Sequence, residues 1–408
     1  MTGQDRVRRA LSHQTADRIP LDLGGSRTTG ISAFAYRGLR EALGLTPRPP
    51  RLYDTIQVLA LPEMDVLDAL GCDVVHVTLD HVTNAFEEPE RWKPYDHNGR
   101  LSALVMNPDV YRVLANGFIV QRIGETNAYM SSGSTVFDRD GTNERFDLVS
   151  EFLEPDWATL KQGWAARRYT DHRIRSIRDY CRRVRSSTDR AVFLSGLEGG
   201  LGFPGGMAVY SMVCLVHPDW VHERHRLATE HAVAQMESLL PEIREYVDVF
   251  MLAADDQGTQ NGPVLPPALF RELYVPYYRR MTDAVHRLAP GVKVFLHSCG
   301  AILELIPAIA DAGFDVLNPV QWSAGGRGYA DWKEASRGRI ALWGGGVNTQ
   351  STLPLGSREE VVDEVSHVVP VLASGGGYVF SSVHNLLADV DPQTVVAMYR
   401  TAAAATPG

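Results

Sequence analysis

Short apolar runs punctuated by glycine and proline alternate along this chain with longer stretches in which apolar residues return every three or four positions. The first pattern predicts buried strands and the second amphipathic helices. The strand-like runs are Arg18–Gly25, Asp73–Val77, Ala191–Gly196, Asp248–Ala253, the run from Lys293 into His297-Ser298-Cys299-Gly300, Asp315–Pro319, Ile340–Gly344 and Tyr378–Ser382. Helical spacing covers residues 4–12, 34–43, 63–70, 157–183, 218–240, 241–246 and 267–288, and Ile302, Leu305, Ile306 and Ile309 stand at core spacing in another helix. Eight strand–helix alternations predict a parallel sheet closed into a (β/α)8 TIM barrel, with chemistry at the carboxyl ends of the strands.

Between Trp92 and Arg145 the pattern turns alternating and aromatic, broken by Asn98-Gly99, Asn116-Gly117 and Asp140-Gly141. These are hairpin signals, so residues 92–145 are expected to form an antiparallel β insertion on the rim that roofs the site, within one barrel domain spanning residues 1–408. A net charge of -9 with no basic stripe excludes nucleic acid as the expected partner. The amino terminus lacks an apolar signal region and no apolar run approaches the ~20 residues that span a bilayer. The four cysteines are scattered, not spaced as a disulfide framework, which fits a reducing compartment. A cytoplasmic protein is expected, and a homodimer is admitted alongside the monomer.

Strand side chains alternate with a period of two, so His297 and Cys299 leave one face together while Ser298 points away. One imidazole and one thiol then converge, a pair that suits Zn²⁺. Barrel closure can bring His384, in the loop after the last strand, to the same mouth as a third ligand. Asp255 and Asp256 are candidates to orient a metal-bound histidine or act as general base, with helix capping as the structural alternative. Gln321 is expected to hydrogen-bond substrate or to satisfy loop backbone. Arg27, Tyr36, Asp80 and His81 are weaker candidates for substrate contact, and Trp343 is assigned to the core. The glycine-rich loop 199–206 lacks the Gly-Lys-Ser/Thr ending and the glycine spacing of nucleotide sites, so it is read as a substrate loop.

Asp255-Asp256-Gln257-Gly258-Thr259-Gln260, His297-Ser298-Cys299-Gly300, Leu317-Asn318-Pro319-Val320-Gln321, Trp343-Gly344-Gly345-Gly346 and His384-Asn385 together resemble the uroporphyrinogen decarboxylase superfamily. The resemblance covers nearly the whole chain and implies a (β/α)8 barrel whose members follow two chemistries. Decarboxylases grip a carboxylate-rich tetrapyrrole without a cofactor, using an arginine signature near the amino terminus. Here the equivalent stretch reads Gly24-Gly25-Ser26-Arg27-Thr28-Thr29-Gly30, too poor in cations to pair several carboxylates. His384, however, matches the histidine that decarboxylases carry after the last strand.

The other branch comprises zinc- and corrinoid-dependent methyltransferases, in which a His-x-Cys pair and a later cysteine hold zinc. His297 and Cys299 match that pair, whereas His384 stands in place of the later cysteine. Imidazole in place of thiolate makes the site one charge more positive. The resemblance thus implies methyl transfer between a small methyl ether, alcohol or thiol and a corrinoid. No Asp-x-His-x-x-Gly corrinoid loop occurs in the chain, so the corrinoid would be carried on a separate protein. A cofactor-free or metal-assisted carboxy-lyase is the alternative, and a non-catalytic small-molecule binding barrel the second alternative.

Overall fold

The computed structural model describes residues 1–78, 91–139, 155–195 and 199–406. Seven strands form one parallel sheet in the spatial order Tyr378–Val379, Ala341–Trp343, Val316–Asn318, Lys293–His297, Val249–Ala254, Ala191–Ser195, Val74–Thr78. Pairing follows chain order because each strand is returned by a helical connection, the condition for parallel neighbours. The eighth expected strand is reduced to a bridge. Leu21 pairs with Phe380, Asp22 N–H donates to the Phe380 carbonyl at 2.8 Å, and Asp73 N–H donates to the Leu21 carbonyl at 2.7 Å. Pro20 contributes no N–H to a ladder, which accounts for the short pairing. Residues 20–22 therefore tie the two edges of a curled, TIM-like sheet.

Alternation sorts the strand side chains into stacked layers inside the curl. Val7 and Leu11 of the first helix, Gly3–Leu11, share a core cluster with Val74, Ala191, Val249, Val316, Ala341 and Val379. Phe193, Phe295 and Trp343 meet edge-to-face above them with ring centroids 4.9–5.7 Å apart. Two residues beyond Phe193 and Phe295 come Ser195 and His297, with His76 and Asn318 beside them on the neighbouring strands. The layer over this aromatic floor is thus polar, and His76 Nε2 lies 2.5 Å from Ser195 Oγ. Trp343 is a core residue, fully buried, with Nε1–H donating to Asp22 Oδ2 at 2.8 Å.

Helices differ from expectation where proline and capping residues act. Residues 267–288 form two helices, Pro267–Leu273 and Val275–Leu288, because Pro276 lacks the N–H that would continue the ladder. Residues 157–183 divide into Trp157–Ala165 and Asp171–Ser187, the latter opened by Thr170, whose hydroxyl accepts from Arg173 N–H. Conversely, Pro218–Ile243 is a single helix that carries Pro241 in its last turn. Lys93–Asp96 pairs antiparallel with Ser102–Val105, and Tyr111–Val113, Ile119–Ile123, Thr126–Met130 and Asp138–Arg139 form an antiparallel meander. The remainder of the expected insertion lies outside the described residues. Among the described residues, no helix is long and apolar enough to cross a membrane.

Candidate metal centre

His297 is the last residue of its strand and shares Phe295's face, so its ring stands on the aromatic floor. The chain then turns sharply over it, with successive backbone donors pinned. Ser298 N–H reaches the Asn318 carbonyl at 2.7 Å, Cys299 N–H reaches Asp256 Oδ1 at 2.8 Å, and Gly300 N–H reaches Gln321 Oε1 at 2.8 Å. Gly300 has φ +94°, and a Cβ there would meet the Gly258 backbone at 2.4 Å, so only glycine fits. This turn brings Cys299 Sγ to 3.2 Å from His297 Nε2.

His384 arrives from the opposite edge of the sheet. Its ring centroid is 5.6 Å from that of His297, and one ligand atom from each of His297, Cys299 and His384 lies within 4.8 Å of the others. In a zinc tetrahedron with N and S donors the ligand atoms are about 3.3–3.6 Å apart, so small rotations bring all three onto one ion. Burial depresses the pKa of both imidazoles, that of His384 to about 4, and the neighbouring His297 lowers that of His384 further. Both are neutral near pH 7, with lone pairs available. Burial, then the Asp256 carboxylate, pushes the Cys299 thiol up, so thiolate is favoured there only with a cation beside it. An N,N,S donor set on neutral rings fits Zn²⁺, leaving one position for an exogenous ligand.

The other expected residues separate into groups. Asp256 is half-exposed, with Oδ1 3.6 Å from His297 Nε2, and belongs to the centre. Asp255 does not: its buried carboxylate accepts from Leu201 N–H, Gly202 N–H and the Tyr278 hydroxyl, anchoring the glycine-rich loop. Neither aspartate orients His297 through its other nitrogen. Asn318 does, with Oδ1 2.6 Å from Nδ1. Gln321 takes the structural alternative, its Oε1 committed to the Gly300 N–H. Arg27 forms a 2.9 Å ion pair with Asp54. Tyr36, a weaker candidate, is fully buried, donating to Glu63 Oε2 and accepting from Glu63 N–H, both at 2.9 Å. Asp80 and His81 lie outside the described residues.

Asn318 and Asn385 were not singled out individually in the sequence, although both stand within the motifs. The signal was an amide at a strand end or beside a ligand-capable histidine, where its only local role is to hold something else in place.

Fold and centre define a TIM-like α/β protein with a metal-capable His/Cys/His cluster at the carboxyl ends of its strands. Residues 167–405 match the uroporphyrinogen decarboxylase (URO-D) family, and the chain belongs to that family. It is 25% identical over 215 residues to the uroporphyrinogen decarboxylase of Syntrophotalea carbinolica, covering 49% of this chain and 58% of that one. Identity to the enzyme of Shewanella loihica is 26% over 171 residues, covering 39% and 46% of the two chains. The matches thus span about half the length of these relatives. A solved methyltransferase from Methanosarcina mazei has the same fold, with a TM-score of 0.55 and 14% identity over 98% of both chains.

Proposed function

We propose that this protein is a zinc-dependent methyltransferase that moves a methyl group between a small methyl ether, alcohol or thiol and a corrinoid carried on a separate protein. The observation that carries the reading is the meeting of His297, Cys299 and His384 over the aromatic floor, with mutual ligand distances within 4.8 Å. Zinc bound there would supply Lewis acidity, stabilising negative charge on a substrate heteroatom. His297 and His384 would bind it as neutral imidazoles and Cys299 as thiolate. Asp256, exposed to the mouth and 3.6 Å from His297 Nε2, would take the proton that the substrate heteroatom gives up.

Phe193, Phe295 and Trp343 exclude water from below. We assign the antiparallel strands of residues 93–139 to the roof. Gln121 of these strands donates its amide N–H to Thr55 Oγ1 at 2.6 Å, and Gln57, two residues further along the Thr55 segment, accepts from Asn385 at 2.7 Å through its Oε1.

A carboxy-lyase is the second reading, favoured by the names of the matched relatives. Against it, Arg27, the one cation of the 24–30 stretch, is already paired with Asp54. Elemental analysis of the purified protein, followed by assay of methyl transfer from free methylcob(III)alamin to simple thiols and of cob(I)alamin methylation by aryl methyl ethers, tests the proposal. One zinc per chain with turnover in either direction is expected. Metal-free protein that releases carbon dioxide from a porphyrinogen would replace it with the lyase.

A further inference from the structure

The stretch Gly24–Gly30, where a decarboxylase would gather arginines, is instead a buried lattice of hydroxyls. Asp22, Ser26, Thr28 and Thr29 are each at most 5% exposed. Thr29 Oγ1 donates to Asp22 Oδ2 at 2.7 Å, Ser26 Oγ lies 2.8 Å from Thr28 Oγ1, and Thr28 Oγ1 donates to Asn318 Oδ1 at 2.9 Å. That same oxygen faces His297 Nδ1 at 2.6 Å. The amide's orientation is set from its other end, where Nδ2 donates to the Trp343 carbonyl at 2.9 Å. An amide oxygen only accepts, so Nδ1 must carry the proton, and the lone pair of His297 is left on Nε2, the atom nearest Cys299 Sγ.

The other end of the stretch holds the second imidazole. Gly30 N–H donates to Asn385 Oδ1 at 2.6 Å, Asn385 Nδ2 donates to the Arg27 carbonyl at 3.1 Å, and Leu386 N–H donates to the Gly30 carbonyl at 2.9 Å. A Cβ on Gly30 would crowd Leu59, Asn385 and Tyr53 at 3.1–3.2 Å, so the close approach depends on glycine. One loop is therefore hydrogen-bonded both to the residue that orients His297 and to the residue that follows His384.

We propose that residues 26–30 are a brace for the His/Cys/His centre, with Thr28, Asn318 and Asn385 as positioning residues that impose the Nδ1–H tautomer on His297 and hold His384 opposite it. The inference rests on reading these side chains as a metal centre, yet its primary test needs no metal.

In metal-free protein labelled with ¹⁵N-histidine, the wild-type His297 is expected to be almost entirely the Nδ1–H tautomer. Asn318→Leu should give a mixture dominated by Nε2–H, Asn318→Asp should retain Nδ1–H, and Thr28→Val should give an intermediate that Thr28→Ser restores. Zinc affinity, measured by chelator competition, should fall about 10- to 100-fold in Asn318→Leu and less in Thr28→Val, again with recovery in Thr28→Ser. Asn385→Ala should weaken zinc binding without altering the His297 tautomer.

If Asn318→Leu fails to fold, the Thr28 pair carries both readouts. A wild-type Nε2–H tautomer, or a tautomer and zinc affinity unchanged across the Thr28 and Asn318 variants, overturns the brace. A wild-type protein that keeps the Nδ1–H tautomer but takes up no zinc, with the tautomer lost in Asn318→Leu, is a different outcome: it supports the brace and removes the metal.

Discussion

The two ends of the parallel sheet are built from different chemistry. At the amino ends, an aspartate stands immediately before each of three strands and accepts from a backbone N–H of adjacent chain. Asp73 holds Leu21 N–H, Asp248 holds Val192 N–H and Asp315 holds Val294 N–H, each at 2.8–2.9 Å. Their remaining lone pairs meet cations: Arg6 and Arg18 on Asp73, Arg8 and Arg185 on Asp248, and Lys293 on Asp315. At the carboxyl ends ligand-capable atoms of His297, Cys299 and His384 lie within 4.8 Å of one another, with Cys299 Sγ 3.2 Å from His297 Nε2. Buried charges whose partners are all in place are costly to break but offer nothing to a ligand, whereas two imidazoles and a thiol that converge can bind an external ion once the thiol gives up its proton.

That contrast can be broken at either end. The largest effect is expected from Cys299→Ala, which should reduce zinc affinity more than 1,000-fold, about 4 kcal/mol, while leaving the metal-free protein's urea midpoint near wild type. A strongly destabilised apo variant would mean that the carboxyl end also carries the fold. Asp73→Ala is the converse. It removes the carboxylate that Arg6 and Arg18 share and the acceptor of the Leu21 N–H, while Arg6 keeps Asp17, and should cost about 1–3 kcal/mol of unfolding free energy with zinc affinity unchanged. Loss of zinc at temperatures where that variant is still folded would show that the ends are coupled.

Protons sharpen the comparison further. His97 and His225 are buried and held neutral, with pKa values lowered to about 4 and about 3, chiefly by burial. Their folded values lie below the unfolded value, so the unfolded chain binds more protons as pH falls. Stability is complete above about pH 6.5 and declines through pH 5 toward the folded values, by about 2 kcal/mol per histidine at pH 5. Urea titrations at pH 7 and pH 5 measure this, and a flat profile would contradict the burial of these rings. The smallest effect belongs to Tyr36→Phe, which removes the paired hydrogen bonds to Glu63 and should cost about 1 kcal/mol with zinc content intact. A changed zinc content would return Tyr36 to the site.

Much of this layout was readable along the chain. The apolar runs marked all seven sheet strands, and the i, i+2 spacing of His297 and Cys299 implied their convergence, because a strand repeats every second residue. Trp343 as core was equally legible. Asp255 and Gln321 were harder. Each is a polar side chain at a strand end, and composition cannot distinguish one that faces the mouth from one that closes a loop; Asp255 went to the Leu201 and Gly202 amides and Gln321 to Gly300. Tyr36 was a weak candidate for substrate contact, and its hydrogen-bond partner Glu63, 27 residues away, was not legible from the sequence around it.

What the sequence determined by itself was local: the period of each element and the pairing of one imidazole with one thiol two residues apart. Tertiary structure alone decided that His384 completes the cluster from the far edge of the sheet, and that Thr28 and His297 share the Asn318 oxygen although 290 positions separate Thr28 from Asn318. Periodicity is a property of consecutive residues, whereas a shared acceptor depends on how the sheet curls, and no short stretch of chain encodes that curvature.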